Sequence, residues 1–332
     1  MKPKSLFLLG SGKFSAIYGD AEQATIRALT DVLEDRALSR DEAMANPALL
    51  ADCEIVFSGW GGPRMDAEFL ARAPKLRAVF YGAGSVKKII SDVFWERDIV
   101  LTSSWAANAV PVAEFTLAQI LLSLKKCWRH MRDIRESQKY SGKLPVAGAY
   151  GSTVAIISLG MIGRMVCEHL QRFDVNVIAY DPFATQEDAE TLGLTLCSLE
   201  DCFRQADVVS LHAPWLPATE KMITGAHFEM MKRDATFINT ARGAIVDEPA
   251  MIDVLQQRSD VSVLLDVTYP EPPVEGSLLY TLPNVYLTPH IAGSLGDECR
   301  RMGQYAIDEC RRYLQGEPLQ WQVTKELAAR MA

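Results

Sequence analysis

Residues 153–163 read Thr153-Val-Ala-Ile-Ile-Ser158-Leu-Gly160-Met-Ile-Gly163, a short apolar run followed at once by a glycine-containing turn. The apolar run predicts a buried strand, and residues 162–173 have the spacing of a helix. A second apolar run, at residues 176–180, predicts another strand that ends at Asp181. Strand, turn, helix and strand in this order predict a βαβ unit of parallel sheet.

The turn at residues 158–163 predicts a phosphate-binding site. Gly160 lets the backbone approach a pyrophosphate, and Gly163 lets the helix pack closely on the strand. The usual pattern is G-x-G-x-x-G, and Ser158 stands at its first position. An ordinary strand, turn and helix could also contain such glycines. Asp181 decides between the two, because an acid there accepts hydrogen bonds from the adenosine ribose and repels a 2′-phosphate. The sequence therefore predicts a dinucleotide site that prefers NAD(H).

The whole chain has the composition of a globular α/β protein. Its 332 residues are enough for two domains, and short apolar runs alternate with amphipathic helical stretches, as in a parallel sheet covered on both faces. A long apolar helix predicted at residues 111–126 could pass from one domain to the next. The net charge of −8 argues against non-specific binding to nucleic acid or anionic membranes.

The cysteines and the first residues predict a cytoplasmic protein. The seven cysteines are odd in number and form no CxxC pair, which favours reduced structural thiols and no metal site. The apolar run at residues 6–9 is too short for a signal peptide or a membrane span. Gly10-Ser-Gly-Lys13 also follows a predicted strand. It lacks a third glycine and a placed acid, so we interpret it as a loop of the other domain.

Three segments that each follow a predicted strand carry candidate catalytic residues: Arg242, Glu271 and His290. Arg242 offers a planar, permanently charged fork for a carboxylate, and His290 offers a proton near neutral pH. Glu271 beside an imidazole would raise its pKa by about one to three units. Each residue also has a structural interpretation, as a surface ion pair, a loop residue or a helix cap. Together they predict hydride transfer between NAD(H) and C2 of a small 2-hydroxy or 2-keto acid.

From about residue 108 to residue 302 the sequence resembles the D-isomer-specific 2-hydroxyacid dehydrogenase family, which includes glyoxylate/hydroxypyruvate reductases and phosphoglycerate dehydrogenases. The motifs that carry this resemblance are Asn108 with Val112-Ala-Glu114, the glycine turn with Asp181, His212-Ala-Pro214 with Thr219, Thr240-Ala-Arg242-Gly243, Asp266 with Glu271-Pro272, and Thr288-Pro-His290-Ile-Ala-Gly293. Several of these motifs are long and occur in order.

The resemblance implies a role for each matched residue. Arg242 would bind the substrate carboxylate, His290 would be the general acid/base, and Glu271 would orient it. The backbone of Ala83 and Gly84 would also meet the substrate. The implied cofactor contacts are Gly160, Met161, Ile162, Asp181, His212, Ala213, Pro214, Thr219, Thr240, Ala241, Asp266, which would contact the nicotinamide carboxamide, and Gly293.

The resemblance also implies the architecture. A Rossmann domain over residues 106–302 would bind NAD(H), and residues 1–105 with 303–332 would form a flavodoxin-like substrate domain. The active site would lie in the cleft between the domains. The family further implies a homodimer, with the long helix after Asn108 as the candidate interface. The chain would end too soon after its last helix to include a regulatory domain.

Two other functions are considered for the same fold. Formate or phosphite oxidation is disfavoured, because the formate branch is expected to have glutamine at the position of Glu271. An NAD(H)-sensing, corepressor-like binding protein would keep the catalytic residues, and an added interaction segment, which is not seen, would distinguish it. Thr268 stands where an aromatic residue is common. Trp60 is either a wall of the substrate pocket or a core residue.

Overall fold

A computed structural model describes residues 2–140, 142–146 and 148–331. The strands are β1 (Lys4–Leu8), β2 (Asp31–Val32), β3 (Ile55–Ser58), β4 (Ala78–Tyr81), β5 (Val100–Ser103), β6 (Thr153–Ile157), β7 (Asn176–Tyr180), β8 (Thr195–Leu196), β9 (Val208–Leu211), β10 (Thr236–Asn239), β11 (Ser262–Leu265) and β12 (Val285–Leu287). The helices are α1 (Ser11–Ile17), α2 (Asp20–Leu29), α3 (Arg40–Ala45), α4 (Pro47–Asp52), α5 (Ala67–Arg72), α6 (Trp105–Leu124), α7 (Cys127–Ser137), α8 (Met161–Leu170), α9 (Gln186–Leu192), α10 (Leu199–Gln205), α11 (Gly225–Met230), α12 (Glu248–Gln257), α13 (Glu298–Gln315) and α14 (Lys325–Arg330).

The chain divides into two compact units. The first unit consists of residues up to 109 together with 294–331, and the second unit consists of residues 110–293. The sequence placed the domain boundaries after residues 105 and 302. The boundary predicted after residue 105 lies at residue 109 in the structure. Helix α6 runs through both positions, so the amino-acid composition of the chain does not change at the boundary. The second boundary differs because the segment before α13 already belongs to the first unit.

The first unit contains a five-stranded parallel sheet in the order β2-β1-β3-β4-β5. This is the flavodoxin-like strand order, as predicted. Successive residues of β1 point to opposite faces, so Leu6 and Leu8 enter one core while Phe7 enters the other. Helix α13 covers the second of these faces with buried side chains that include Met302 and Ile307.

A buried carboxylate fastens the last part of the first unit. Glu309 in α13 is 1% exposed, and it accepts hydrogen bonds from the backbone N–H groups of Gln320 and Trp321. The following residue, Gln322, forms an antiparallel bridge with Thr102 of β5. Residues after α13 therefore pair with the edge of the sheet.

The second unit contains a seven-stranded parallel sheet in the order β12-β11-β10-β9-β6-β7-β8. Strand β6 lies between β7 and β9, so the direction in which strands are added reverses there. In open α/β sheets, ligands bind beyond the carboxyl ends of the strands at this reversal. The α/β class with two parallel sheets agrees with the sequence prediction.

Helix α6 begins at Trp105, earlier than predicted, and Pro111 lies inside it. It is the one helix in the described part of the chain whose length and apolar composition would allow it to cross a membrane. Its side chains Ala113, Ile120 and Leu124 are buried in the second unit's core against β6 and α8. The core helix of a soluble protein has the same length and composition.

Candidate active site

The three candidate catalytic side chains follow three neighbouring strands. Arg242 lies three residues after β10, Glu271 lies in the segment after β11, and His290 lies three residues after β12. Strands β10, β11 and β12 are adjacent and parallel, so their carboxyl ends meet at one edge of the sheet.

His290 and Glu271 are in direct contact. The imidazole Nδ1 lies 2.6 Å from Glu271 Oε1, which assigns Nδ1 as the hydrogen-bonded nitrogen and leaves Nε2 for another partner. The side chains of His290 and Glu271 are 48% and 42% exposed, so a ligand can reach the ring. The backbone of His290 has a φ of +54°, a left-handed conformation that is uncommon outside glycine. Strain of this kind is concentrated at functional sites.

The loop that presents His290 is held by Asp266. This carboxylate is 3% exposed and accepts hydrogen bonds from the Thr288 hydroxyl and from the N–H groups of Ile291 and Ala292. The carbonyl of Asp266 accepts a further bond from the N–H of His290. Asp266 therefore fixes the residues on both sides of the imidazole. Its contact with a nicotinamide carboxamide remains a prediction.

Arg242 is partly buried beside the same site. Burial lowers the pKa of its guanidinium, and the charge of Glu271 partly offsets that effect. The guanidinium donates from Nη1 to the carbonyl of Ala241 at 2.6 Å. No other hydrogen bond from this guanidinium occurs within the described residues. The remaining donors are available for an anion such as a carboxylate.

The segment that carries Glu271 is held by two residues whose role the sequence did not reveal. A Cβ added to Gly243 would lie 2.0 Å from the carbonyl carbon of Thr268, so only glycine allows this close approach. The N–H of Tyr269 donates to Glu248 Oε2 at 3.1 Å. Burial raises the pKa of the Glu248 carboxyl, and that hydrogen bond partly offsets the effect. Glu248 lies 21 residues before its partner, and no local pattern signals the contact.

The glycine turn has the geometry needed for a pyrophosphate. A Cβ at Gly160 would meet no atom within 4 Å, so the backbone there faces open space. At Gly163 a Cβ would lie 2.1 Å from the carbonyl oxygen of Ser158, which shows how closely α8 packs on the turn. Met161 and Ile162 form the first turn of α8, where no side chain caps the free N–H groups. These donors and the helix dipole suit an anion.

Asp181 lies beside this turn, as the sequence predicted from its spacing. One carboxylate oxygen, Oδ2, accepts the N–H of Leu159 at 2.7 Å, and the other, Oδ1, accepts the N–H of Phe183 at 2.8 Å. The carboxylate is therefore held in a defined orientation next to Gly160. Its free lone pairs suit the hydroxyl groups of a ribose.

The segment after β9 lies on the other side of the strand-order reversal. His212 Nε2 contacts the Ser210 hydroxyl at 2.9 Å, whereas its buried Nδ1 has no partner within the described residues. Burial lowers the pKa of this imidazole to about 3, so the ring is neutral. Ala213 is buried, and Thr219 donates to the Pro214 carbonyl at 2.5 Å, which stabilises the turn. The open glycine turn, the oriented acid and the unpartnered Nδ1 fit a dinucleotide cofactor.

The remaining predicted site residues are distributed between the two units. Thr240 is buried with its hydroxyl 3.1 Å from that of Thr116, and Ala241 donates its N–H to Asn239 Oδ1. Gly293 is the last residue of the second unit. Two residues of the first unit that were predicted to contact the substrate, Ala83 and Gly84, follow β4, and their carbonyls accept the Ser103 hydroxyl. Trp60 is partly buried and packs against the cores on both faces of the first unit's sheet.

Comparisons with known proteins identify the family of this chain. Residues 117–292, more than half of the chain, match the family described as D-isomer specific 2-hydroxyacid dehydrogenase, NAD binding domain. D-3-phosphoglycerate dehydrogenase of Methanocaldococcus jannaschii is 29% identical over 268 residues, covering 80% of this chain and 50% of that protein. (S)-sulfolactate dehydrogenase of Chromohalobacter salexigens is 31% identical over 288 residues, covering 83% of this chain and 93% of that protein.

A solved structure shares the fold. The NAD-complexed form of a D-isomer specific 2-hydroxyacid dehydrogenase from Lactobacillus delbrueckii ssp. bulgaricus aligns with a TM-score of 0.80 and 24% identity, covering 97% of this chain and 100% of that one. The chain spans about half the length of the phosphoglycerate dehydrogenases that it matches. Its second unit contains the NAD-binding domain of this family. The chain therefore belongs to the D-isomer specific 2-hydroxyacid dehydrogenase family.

Proposed function

We propose that this chain transfers hydride between NAD(H) and C2 of a small D-2-hydroxy or 2-keto acid. The observation that carries the proposal is the 2.6 Å contact between His290 Nδ1 and Glu271, with Arg242 at the carboxyl end of the adjacent strand β10. A cation for the substrate carboxylate and a proton donor for its carbonyl oxygen are what this reaction requires. Both are present at one edge of the sheet that carries the dinucleotide turn.

Each residue has a defined task in the proposed mechanism. NAD(H), when bound, supplies or accepts the hydride. Arg242 binds the substrate carboxylate and orients C2. His290 donates a proton from Nε2 to the carbonyl oxygen during reduction and takes it back during oxidation. Glu271 holds Nδ1, which fixes the tautomer and the direction of the ring, and Asp266 fixes the loop behind it.

A panel of acids assayed with both cofactors tests the activity. Glyoxylate, hydroxypyruvate and longer 2-keto acids would be reduced with NADH and with NADPH. D-3-phosphoglycerate and (S)-sulfolactate, named for the relatives, would be tried in the oxidative direction. We expect NADH-dependent turnover of at least one acid. NADH binding with no turnover across the panel would instead favour the corepressor-like alternative.

The role of His290 has its own test. His290→Ala is expected to abolish turnover, because the imidazole that would donate the proton is removed, while NADH binding measured by fluorescence titration stays near normal. His169→Ala, in the last turn of α8, is the matched control and should keep full activity. Loss of NADH binding in His290→Ala would show that the residue had been assigned to the wrong step.

We also propose that the chain forms a homodimer through the α6–α7 face of the second unit. Large apolar side chains are exposed on these helices at Leu122, Met131 and Ile134. The same two helices contribute Phe115 and Trp128 to a cavity of about 360 Å³ that is also lined by strands β10–β12. These exposed apolar side chains support an interface on this face, which a second copy of the same face would cover. Sedimentation equilibrium should give a dimer for the wild type and a monomer for Met131→Glu. A monomeric wild type would refute the proposal.

A cytoplasmic location is proposed as well. All seven cysteines fall within the described residues as free thiols, although the sulfur atoms of Cys197 and Cys202 are only 3.5 Å apart. Neighbouring thiols that stay reduced suit a reducing compartment. When cells are lysed in denaturant with an alkylating reagent, mass spectrometry of the protein should count seven alkylated cysteines. A count of five would contradict the proposal.

A further inference from the structure

The first position of the glycine turn holds a serine in a conformation that favours glycine. Ser158 has a φ of +76°, in the left-handed region where an L side chain is strained. The surrounding turn imposes this conformation. The N–H of Ser158 donates to the Tyr180 carbonyl at 2.7 Å, and its own carbonyl is packed against Gly163. Glycine would adopt this backbone conformation at a lower cost in free energy, so the presence of a serine at this position requires an explanation.

The Ser158 side chain reaches Asp181, the acid to which ribose recognition is assigned. Its Oγ lies 3.3 Å from Asp181 Oδ2, the oxygen that also accepts the N–H of Leu159. Because an ionised carboxylate can only accept, the hydroxyl donates. The distance is at the long end for an O–H···O bond, so the hydroxyl is not tightly held. Its oxygen also keeps lone pairs that can accept a hydrogen bond from a ligand.

We propose that Ser158 acts with Asp181 as a cofactor-selecting residue, binding the 2′,3′-diol of the NAD(H) ribose and disfavouring a 2′-phosphate. This inference rests on the proposed binding of NAD(H) at the glycine turn. An acid discriminates against a phosphate only while its charge stays at the ribose. Ser158, Leu159 and Phe183 donate to Asp181 from different positions and keep it there. The ribose hydroxyls then meet one carboxylate and one hydroxyl, a polar pair that glycine would leave incomplete.

Two substitutions separate the hydroxyl from the backbone. Ser158→Gly removes both the hydroxyl and the left-handed strain, whereas Ser158→Ala removes only the hydroxyl. For each protein, Kd values for NADH and NADPH are measured by fluorescence titration, and Tm is measured without cofactor. The control is Gln138→Gly, which relieves a φ of +52° at the end of α7, outside the glycine turn.

Stability and binding should change in opposite directions in Ser158→Gly. We expect a higher Tm and a Kd for NADH weakened by about three- to tenfold, the effect of one lost hydrogen bond. The ratio of the NADPH Kd to the NADH Kd should fall by a similar factor. Ser158→Ala should show the same binding changes with no gain in Tm. Gln138→Gly should raise Tm and leave both Kd values unchanged. A purely structural serine would not weaken binding while the protein became more stable.

A double-mutant cycle tests whether Ser158 acts through Asp181. In an Asp181→Ala background, adding Ser158→Ala should weaken the Kd for NADH by a smaller factor than it does in the wild type, because the carboxylate that positions the hydroxyl is gone. Full additivity would overturn the inference, as would wild-type Kd values for both cofactors in Ser158→Gly and Ser158→Ala. Those results leave the proposed function intact if the wild type binds NADH. A wild type that binds no NADH would refute the proposed function and this inference together.

Discussion

Substituting Gly243 by alanine should impair chemistry without impairing cofactor binding. The added Cβ would lie 2.0, 2.2 and 2.6 Å from the carbonyl carbon, oxygen and Cα of Thr268, all of them backbone atoms. Real Cβ atoms do not approach closer than 3.0 Å, so the two segments must separate by about 1 Å. Thr268 lies three residues before Glu271, and the shift is carried toward the contact with His290.

The expected magnitude follows from the geometry. A displacement of about 1 Å at a reacting group costs about a hundredfold in rate, or about 2.7 kcal/mol in the activation free energy. We expect Gly243→Ala to lower kcat/KM for the best keto acid by about that factor. The glycine turn follows β6, and β9 lies between β6 and the strand β10 that precedes Gly243. The shift should therefore not reach the turn, and the Kd for NADH should change by less than about twofold.

Steady-state kinetics and fluorescence titration on the same preparation measure both quantities. Gly142→Ala is the matched control, since its added Cβ would meet no atom within 4 Å and its activity should be normal. Thermal unfolding would verify that Gly243→Ala is folded at the assay temperature. A folded Gly243→Ala protein with wild-type kcat/KM would refute the reasoning, because Glu271 would then keep its position without this contact.

Three further predictions follow from other contacts. Arg242→Lys keeps the charge but loses the planar fork, so KM for the keto acid should rise by at least about tenfold with a smaller change in kcat; an equal loss in both would contradict a binding role. Asp181→Ala should narrow the preference for NADH over NADPH in paired titrations, and an unchanged ratio would exclude it from ribose recognition. Hydrogen bonds from Thr185 and then Arg164 lower the pKa of Asp188 from 3.8 to about 2, so this carboxylate stabilises the fold above pH 3.8 and loses its effect as the pH falls through about 2. The Tm of Asp188→Asn should therefore lie below the wild-type value at neutral pH, and the difference should shrink as the pH falls toward 2, whereas a constant difference would exclude this contribution.

The fold and the location of the candidate catalytic residues could both be predicted from the sequence, and for the same reason. Buried parallel strands are short apolar runs, and functional residues follow them at their carboxyl ends. Arg242, Glu271 and His290 each follow such a run, so their meeting at one sheet edge could be anticipated. The spacing between the glycine turn and Asp181 was informative in the same way.

The residues that hold these groups in place could not be predicted locally. Asp266 accepts hydrogen bonds from the backbone N–H groups of Ile291 and Ala292. Because nearly every residue has a backbone N–H group, the sequence does not indicate which of them will be the donors. Glu248 and Gly243 act on a loop more than twenty residues away. The left-handed backbone conformation of His290 and Ser158 could not be predicted either, since neither position holds glycine, the residue that usually indicates this conformation.

The order in which the chain leaves the ribosome has consequences for the first unit. Its face bearing Phe7 and Phe57 is closed by α13, which is synthesised only after the whole of the second unit. Residues 110–293 are contiguous and can complete their core during translation, whereas this sheet face of residues 1–109 is covered only in part, by α1 and α2, until α13 is made. We therefore expect the second unit to finish folding before the first, the reverse of the usual N-to-C order. A chaperone that binds exposed apolar strands has its main target in the first hundred residues until Met302 and Ile307 emerge.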